Sequence, residues 1–141
     1  DVQDPGNLGA LLRSAAAAGI SDALLSRGCT FAWAPRVVRA GMGAHFALKI
    51  YEQVDVAGAL RGYAGKIVAL AAAGENSLFD LDLRGAVALL VGNEGAGLSP
   101  QLLDLAHVKA RIPMPGKVES LNVAAAATIA LFERVRQIDQ V

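Results

Sequence analysis

Ala86-Val87-Ala88-Leu89-Leu90-Val91 is a continuous apolar run that leads directly into the polar loop Gly92-Asn93-Glu94-Gly95. A second run of the same character extends from Ile67 to Ala72. Short apolar runs without alternating polar residues are typical of strands that are buried on both faces, as in a parallel sheet covered by helices. We therefore expect two strands of a parallel sheet here, with a polar loop at the carboxyl end of one of them.

Helix and strand patterns alternate along the rest of the chain. We predict helices from Asn7 to Gly19, Pro35 to Ala44, Val54 to Tyr63, Pro100 to Ala106 and Leu121 to Gln137, and further strands at Ala23 to Leu25 and Val108 to Ile112. Asn7 and Ser120 are the predicted N-caps of the first and last helices. This alternation without hairpin signals predicts an α/β fold, a parallel sheet flanked by helices, in one domain over residues 1–141.

Composition excludes several classes of protein. The 13 basic and 13 acidic residues balance, which argues against a domain that holds nucleic acid by charge alone. The single cysteine, Cys29, excludes a disulfide framework and a Cys-built zinc site. It could form a nucleophile pair with His45 or His107, but a lone cysteine is more often a small buried apolar side chain. No apolar run is long enough to span a membrane.

The start of the chain suggests a piece of a longer protein. Asp1 is not preceded by Met, and a Pro-Gly turn follows within a few residues. We expect a segment upstream of Asp1, and a cytoplasmic location, because there is no export signal and only one thiol.

Three segments combine loop-forming residues with polar side chains. They are Asp4 to Gly9 leading to Arg13, Gly92 to Ser99, and Ile112 to Asn122. Ligands in parallel α/β sheets bind beyond the carboxyl ends of the strands, and we expect these segments to lie there.

Individual residues in these segments also have structural interpretations. Asn7 and Ser120 are as compatible with helix capping as with a functional role, and Arg13 is compatible with a solvated helix face. For Glu94 we favour a functional role over a structural one, because a charged side chain in a Gly-rich loop has little structural reason to be there. Leu98 stands where a Walker A loop needs Lys, which excludes that motif.

Together the three segments resemble the three motifs of the SpoU (TrmH-like) branch of the SPOUT RNA methyltransferases. The matching residues are Asp4-Pro5-Gly6-Asn7-Leu8-Gly9 with Arg13, Gly92-Asn93-Glu94-Gly95 with Gly97-Leu98-Ser99, and Ile112-Pro113-Met114 with Glu119-Ser120-Leu121-Asn122-Val123. A weaker match runs from Val38 to Ala44, where members of the family often have Ser at the position of Gly41. The resemblance covers essentially the whole chain.

This resemblance implies an RNA 2′-O-ribose methyltransferase that uses S-adenosylmethionine and no metal. It also implies a deep trefoil knot formed by the last helix and a homodimer packed close to the cofactor. The implied cofactor-binding residues are Leu70, Ala71, Ala72, Gly92, Asn93, Glu94, Ile112, Met114, Ser120, Leu121 and Asn122. The implied catalytic residues are Asn7, Arg13, Glu94, Ser120 and Asn122.

The family's assignment of the arginine as a general base conflicts with its chemistry. A guanidinium has a pKa above about 12 and rarely gives up a proton. Our hypothesis is that Arg13 clamps the neighbouring phosphate and stabilises the developing 2′-alkoxide. Asn7 and Asn122 would orient groups, and Glu94 would hold Arg13 or take part in proton transfer.

Two alternatives stay open at this stage. The first is a knotted module that holds RNA or a nucleotide without methylating it, and the second is base methylation, which other SPOUT branches perform.

The substrate implied by the family is transfer RNA or ribosomal RNA. Arg13, Arg36 and Arg39 could form a local phosphate-binding patch in the otherwise neutral domain, and the small residues Ala124 to Ala127 could allow close packing of the last helix.

Overall fold

The structure, a computed structural model, describes residues 1–139. Its elements along the chain are α1 (Pro5–Ala17), β1 (Asp22–Ser26), α2 (Pro35–Gly41), β2 (Lys49–Val54), α3 (Val56–Arg61), β3 (Lys66–Leu70), β4 (Asn76–Ser77), β5 (Val87–Leu90), α4 (Pro100–Leu105), β6 (Val108–Arg111) and α5 (Val123–Asp139). Short 3-10 turns lie at Ala44–Phe46 and Leu78–Asp80.

The strands form two parallel sheets. The larger has the order β4-β6-β3-β5, and β1 pairs with β2 in the smaller one. The central strand β3 is the most deeply buried, with Val68 and Ala69 fully inaccessible to solvent. The α/β class with a parallel sheet flanked by helices is therefore confirmed, whereas the trefoil knot stays a prediction.

Two strands were not predicted from the sequence. β2 alternates exposed and half-buried positions and carries Lys49, Glu52 and Gln53, so it has no continuous apolar run to reveal it. β4 has only two residues and exists through its pairing with β6. The helix predicted to begin at Val54 begins at Val56 instead, because the side chain of Asp55 caps it by accepting the Gly58 amide.

The N-caps predicted for the first and last helices, Asn7 and Ser120, are both wrong by two or three residues. Asp4 caps α1 by accepting the backbone N–H of Asn7 at 2.9 Å, with Pro5 at the first helical position. Asn122 caps α5, because its side-chain oxygen accepts the N–H groups of Ala124 and Ala125 at 2.9 and 3.1 Å. The side chains of Asn7 and Ser120 are thus not used for capping.

Helix α1 packs between α2 and α5. At Gly9 the backbones of α1 and α2 are so close that a Cβ atom would collide with Ala40 and lie 2.7 Å from the Val37 carbonyl oxygen. On another face of α1, the Ser14 hydroxyl lies 2.6 Å from that of Thr128 in α5. Since Thr128 donates its own proton to the Ala124 carbonyl, Ser14 is the donor in this bond. These contacts hold the middle of α1 against α2 and its carboxyl-terminal turn against α5.

The carboxyl-terminal half of α5 is fastened to the loop before β5. Gln137 accepts the Leu83 N–H at 2.8 Å and donates to the Leu81 carbonyl at 2.9 Å. Glu133 is buried and accepts hydrogen bonds from Arg136, which lower the pKa of its carboxyl group to about 2.

Within residues 1–139, none of the helices combines the length and apolar character that a membrane crossing needs.

Candidate active site

A cavity of about 360 Å³ opens at the carboxyl ends of β3, β5 and β6. The chain leaves each of these strands in a loop that contributes to its wall, beginning at Leu70, Val91 and Ile112. The start of α5 closes the remaining side with Val123 and Ala126. The cavity therefore lies where parallel α/β sheets ordinarily bind their ligands.

Ten of the eleven predicted cofactor residues line this cavity. They are Leu70, Ala71, Ala72, Gly92, Asn93, Glu94, Ile112, Met114, Ser120 and Leu121. Asn122 is the exception, because its side chain caps α5 and reaches towards α1 instead. The wall also contains residues that were not predicted to bind the cofactor, although some belong to the motifs, namely Ala73, Val91, Ala96, Gly97, Leu98, Leu103, Ala110, Val123 and Ala126. Most of these are apolar neighbours of the motif residues.

The loop from Gly92 to Gly97 is held by its own hydrogen bonds. Asn93 and Gly97 exchange two backbone bonds of 3.0 Å, and the Asn93 side-chain oxygen accepts the N–H groups of Gly95 and Ala96. A side chain at Gly92 would collide with Gly97 and lie 2.5 Å from the Leu98 nitrogen. Gly97 itself has φ +68°, a conformation that favours glycine. The loop is thus a compact, preformed wall of the cavity.

Glu94 connects this loop to the amino-terminal motif. Its carboxylate accepts the backbone N–H of Asp4 at 2.9 Å and that of Gln3 at 3.1 Å, and the Asn7 side chain donates to it at 3.4 Å. Partial burial opposes ionisation, but the hydrogen bonds from Asp4, Gln3 and Asn7 outweigh it and lower the pKa of Glu94. Glu94 is therefore an anion at neutral pH and holds the chain at Gln3 and Asp4. It does not contact Arg13, as one of our two hypotheses for it required.

Asn7 is the middle of a chain of side chains that joins all three motifs. Its amide nitrogen donates to Glu94, and its oxygen accepts a 2.9 Å hydrogen bond from the Asn122 amide. Because Asn122 uses its oxygen to cap α5, only its nitrogen is available for Asn7. The orientation of both amides is therefore determined by the network, and residues 7, 94 and 122 form one unit beside the cavity.

Ser120 and Arg13 are not part of this network. Ser120 is exposed on the cavity wall, and within residues 1–139 its hydroxyl makes no hydrogen bond. Arg13 is exposed on α1 and is absent from the wall. It lies six positions after Asn7 on the helix, which amounts to a translation of about 9 Å and a rotation of roughly 120°. The structure thus joins three of the five predicted catalytic residues by hydrogen bonds and places a fourth, Ser120, on the wall of the adjacent cavity.

The alternative nucleophile pair does not form. His107 accepts the Ile67 N–H at 2.8 Å through Nδ1, and His45 Nε2 lies 2.6 Å from the Ala32 carbonyl oxygen. Half-buried Cys29 contacts the Ser26 hydroxyl at 3.6 Å and, in the described part of the chain, neither histidine. Residues 1–139 also contain no group of three or more His, Cys, Asp and Glu side chains arranged to hold a metal ion.

The fold and the joined motifs agree with the class of protein that the sequence motifs indicated. The chain belongs to the SpoU rRNA Methylase family, whose profile matches residues 1–132. Among its relatives, a 23S rRNA (guanosine-2′-O-)-methyltransferase from Xylella fastidiosa is 46% identical over 139 residues, which cover 96% of this chain and 56% of the relative. The mitochondrial rRNA methyltransferase 3 of Mus musculus is 34% identical, over 98% of this chain and 45% of its own length.

Solved structures show the same fold. The AdoMet-bound rRNA methyltransferase from Sinorhizobium meliloti matches with a TM-score of 0.91 at 40% identity, covering 98% of this chain and 54% of that protein. The SpoU methyltransferase AviRb from Streptomyces viridochromogenes, in complex with AdoMet, matches with a TM-score of 0.88 at 33% identity, covering 98% and 58%. The chain spans about half the length of the curated relatives it matches.

Proposed function

We propose that this chain is the catalytic domain of an S-adenosylmethionine-dependent RNA 2′-O-ribose methyltransferase. The observation that carries the proposal is the hydrogen-bonded unit of Glu94, Asn7 and Asn122 beside a strand-end cavity. Residues from three separate motifs are held in one arrangement, and several of them are exposed to a ligand. Relatives whose names state 2′-O-methylation of 23S rRNA support the assignment.

The cavity fits S-adenosylmethionine in size and chemistry. Its volume of about 360 Å³ lies within the range of small-molecule sites. Ile112, Met114 and Leu121 offer apolar walls for the adenine and the methionine chain, and the 92–97 loop offers backbone polar groups. The Glu94 carboxylate supplies a negative charge on the same wall, which suits a positively charged sulfonium. When bound, S-adenosylmethionine supplies the methyl group that the reaction transfers.

The residues of this chain then have to position a ribose and manage one proton. Asn7 and Asn122, fixed in orientation by their mutual hydrogen bond, are suited to hold the ribose hydroxyls. Ser120 has a free hydroxyl on the cavity wall, and we assign it to substrate contact. Glu94 is a weak base because the pKa of its carboxyl group is lowered, so we assign it to positioning rather than to proton removal.

We retain Arg13 as the phosphate clamp, acting in a homodimer. Arg13 lies on an exposed face of α1 whose other residues are small, Gly6, Ala10 and Ala17. A second copy of the chain could approach this face closely and cover it. On the neighbouring helix α5, Phe132 is also 43% exposed. Such a dimer would remove Arg13 from solvent and strengthen its hydrogen bonds to a phosphate.

Ribosomal RNA is the substrate that we favour. Several relatives, among them the Xylella fastidiosa enzyme, act by their names on 23S rRNA, although a tRNA-modifying TrmH/SpoU enzyme from A. aeolicus matches with a TM-score of 0.83 at 28% identity. We propose the cytoplasm as the location, because most of these relatives are bacterial ribosomal RNA enzymes.

The proposal is tested with purified protein, ribosomal RNA and S-adenosylmethionine that carries a labelled methyl group. Calorimetry should show that the protein binds S-adenosylmethionine, and the label should enter the RNA. The Asn7→Ala variant should bind the cofactor normally but transfer the label about a hundredfold more slowly. RNA binding without cofactor binding would favour the non-catalytic module instead.

A further inference from the structure

One segment of this neutral chain is strongly basic. Residues 23–51 contain four basic side chains, Arg27, Arg36, Arg39 and Lys49, and no acidic one. The rest of the chain therefore carries nine basic residues against all 13 acidic ones. Zero net charge thus conceals a local positive region, and a polyanion is the partner that such a region attracts.

The same segment exposes large aromatic side chains. Phe31 is 62% exposed, Trp33 47% and Phe46 88%, in a chain with only seven aromatic residues. Arg36 and Arg39 are exposed three residues apart on α2, whose opposite face is buried at Val37 and Gly41. We call Phe31, Trp33, Arg36, Arg39 and Phe46 the aromatic–basic surface.

The segment folds back on itself around α2, so that Trp33 before the helix and His45 after it are in contact. The rings of Trp33 and His45 meet edge to face with centroids 4.8 Å apart, and Phe46 follows His45 in the same 3-10 turn. A side chain at Gly41 would approach the His45 ring to 2.9 Å, which explains why Gly fits this position here. The loop before α2 and the turn after it are therefore in contact.

The loop that carries Phe31 and Trp33 is held by hydrogen bonds at Ala32, the residue between them. The Ala32 N–H donates to Glu52 at 2.6 Å, and the Ala32 carbonyl accepts a 2.6 Å hydrogen bond from His45 Nε2. Both backbone polar groups of Ala32 are thus used, although its neighbours point two aromatic rings into solvent. A surface that is ordered before binding loses less conformational entropy when a ligand arrives.

The loop that carries Phe31 is hydrogen-bonded to the amino-terminal segment that Glu94 holds at the candidate active site. The Thr30 N–H donates to the Val2 carbonyl at 2.9 Å, next to Gln3, whose own N–H is held by Glu94. Helix α2 also touches α1 at Gly9, two residues after Asn7. A polymer bound at the active site could therefore extend onto the aromatic–basic surface.

We propose that the aromatic–basic surface binds unpaired nucleotides of the substrate RNA beside the ribose that is methylated. Bases stack on Trp33 and Phe46, and Arg36 and Arg39 contact the phosphates between them. The inference rests on the proposed function for the class of substrate. Unpaired RNA is favoured over a duplex because only splayed bases offer their faces to aromatic side chains. The absence of acidic residues from 23–51 favours RNA over a protein partner.

Trp33, the single tryptophan of the chain, is itself the probe. Titration with a single-stranded oligouridine should quench its fluorescence in a saturable way, and a duplex RNA of the same length should quench it much less. Phe46→Ala should weaken binding about tenfold. Arg36→Gln combined with Arg39→Gln should lower the slope of log affinity against log salt concentration by about two. Phe79→Ala and Arg61→Gln, also exposed but outside the surface, should change neither quantity.

The outcomes separate this proposal from the proposed function. Unchanged RNA affinity and salt slope in the Phe46 and arginine variants would overturn the surface, even if the protein methylates RNA. A change in oligomeric state of the Phe46 variant with unchanged RNA affinity would overturn it in favour of a protein interface. Saturable quenching in a protein that transfers no methyl group would support the surface and contradict the methyltransferase assignment. In the methylation assay, Phe46→Ala should raise KM for RNA about tenfold and leave the Kd for S-adenosylmethionine unchanged.

Discussion

The side-chain amide of Asn122 donates a 2.9 Å hydrogen bond to the side-chain oxygen of Asn7, 115 residues earlier in the chain. Asn7 passes the connection on by donating to Glu94, and Asn122 anchors it by capping α5. An amide has a donor end and an acceptor end, so each asparagine can satisfy two different neighbours at once. The unit of Glu94, Asn7 and Asn122 is therefore connected to the start of a helix, and its geometry depends on where that helix begins.

The two roles of Asn122 are separable by substitution. Asn122→Asp keeps the oxygen that caps α5 but loses the donor to Asn7, whereas Asn122→Ala loses both. We expect Asn122→Ala to lower the free energy of unfolding by about 1 kcal/mol and Asn122→Asp to change it little. Both should reduce methyl transfer about a hundredfold. Urea denaturation and a transfer assay measure the two effects, and full activity of Asn122→Asp would show that the hydrogen bond to Asn7 is dispensable.

Gly92 and Gly95 form a matched pair in one loop. A methyl group at Gly92 would overlap the backbone at Gly97 and Leu98, whereas at Gly95 the nearest atom is Asn93 Oδ1 at 3.6 Å. Gly92→Ala must displace the cavity wall, and we expect the Kd for S-adenosylmethionine to rise tenfold or more, about 1.4 kcal/mol. Gly95→Ala should bind the cofactor like the parent protein. Calorimetry measures the Kd of each variant for S-adenosylmethionine. Equal affinities of the two variants would mean that this loop does not contact the cofactor.

Glu94 makes a pH-dependent contribution to stability. Its folded-state pKa is lowered by the hydrogen bonds it accepts, so its contribution is complete above the ordinary value of 4.5 and is lost as the pH falls through the lowered value. Glu94→Gln should therefore lower stability at neutral pH, and its difference from the parent protein should shrink in acid. Glu133 keeps its own acid sensitivity in both proteins, since the pKa of its carboxyl group is about 2. Unfolding curves from neutral pH to about pH 3 test this, and a difference independent of pH would contradict it.

The Arg13→Lys variant tests the proposal that Arg13 clamps a phosphate of the RNA with two parallel hydrogen bonds. Lysine keeps the positive charge but cannot donate two parallel hydrogen bonds to a phosphate. We expect methyl transfer to fall about tenfold or more, with unchanged binding of S-adenosylmethionine. Arg61→Lys, on the exposed face of α3, is the control. If Arg13→Lys retained most of the activity and bound RNA normally, the bidentate clamp would be wrong, and a strongly depressed Arg13 pKa measured by NMR would support the general-base alternative.

The sequence predicted the elements with strong local signals and missed those that depend on partners. The apolar runs at β3 and β5 were evident because strands buried on both faces carry no polar residues. β2 was missed because it is polar on alternate positions, and its pairing with β1 is a long-range property. The same limit applies to the site. Motif residues lining the cavity were found, whereas Leu103 and Ala126, which reach it from helices, carry no local signal.

Helix capping shows how similar residue types compete for one role. Asn7 and Asp4 are both good N-cap residues, and Asp4 caps α1, with Pro5 at the first helical position, where proline is favoured. In the same way Asn122 takes the cap of α5 instead of Ser120, which leaves the serine hydroxyl free beside the cavity. Sequence spacing alone left these roles open, and three-dimensional contacts separate them.

The position of the transferred methyl group tests the central claim most directly. RNA incubated with the protein and methyl-labelled S-adenosylmethionine is hydrolysed in alkali, which cleaves every linkage with a free 2′-hydroxyl. We predict that the label appears in alkali-resistant dinucleotides, because a methylated 2′-oxygen can no longer attack the adjacent phosphate. Label in mononucleotides that carry a methylated base would contradict the account.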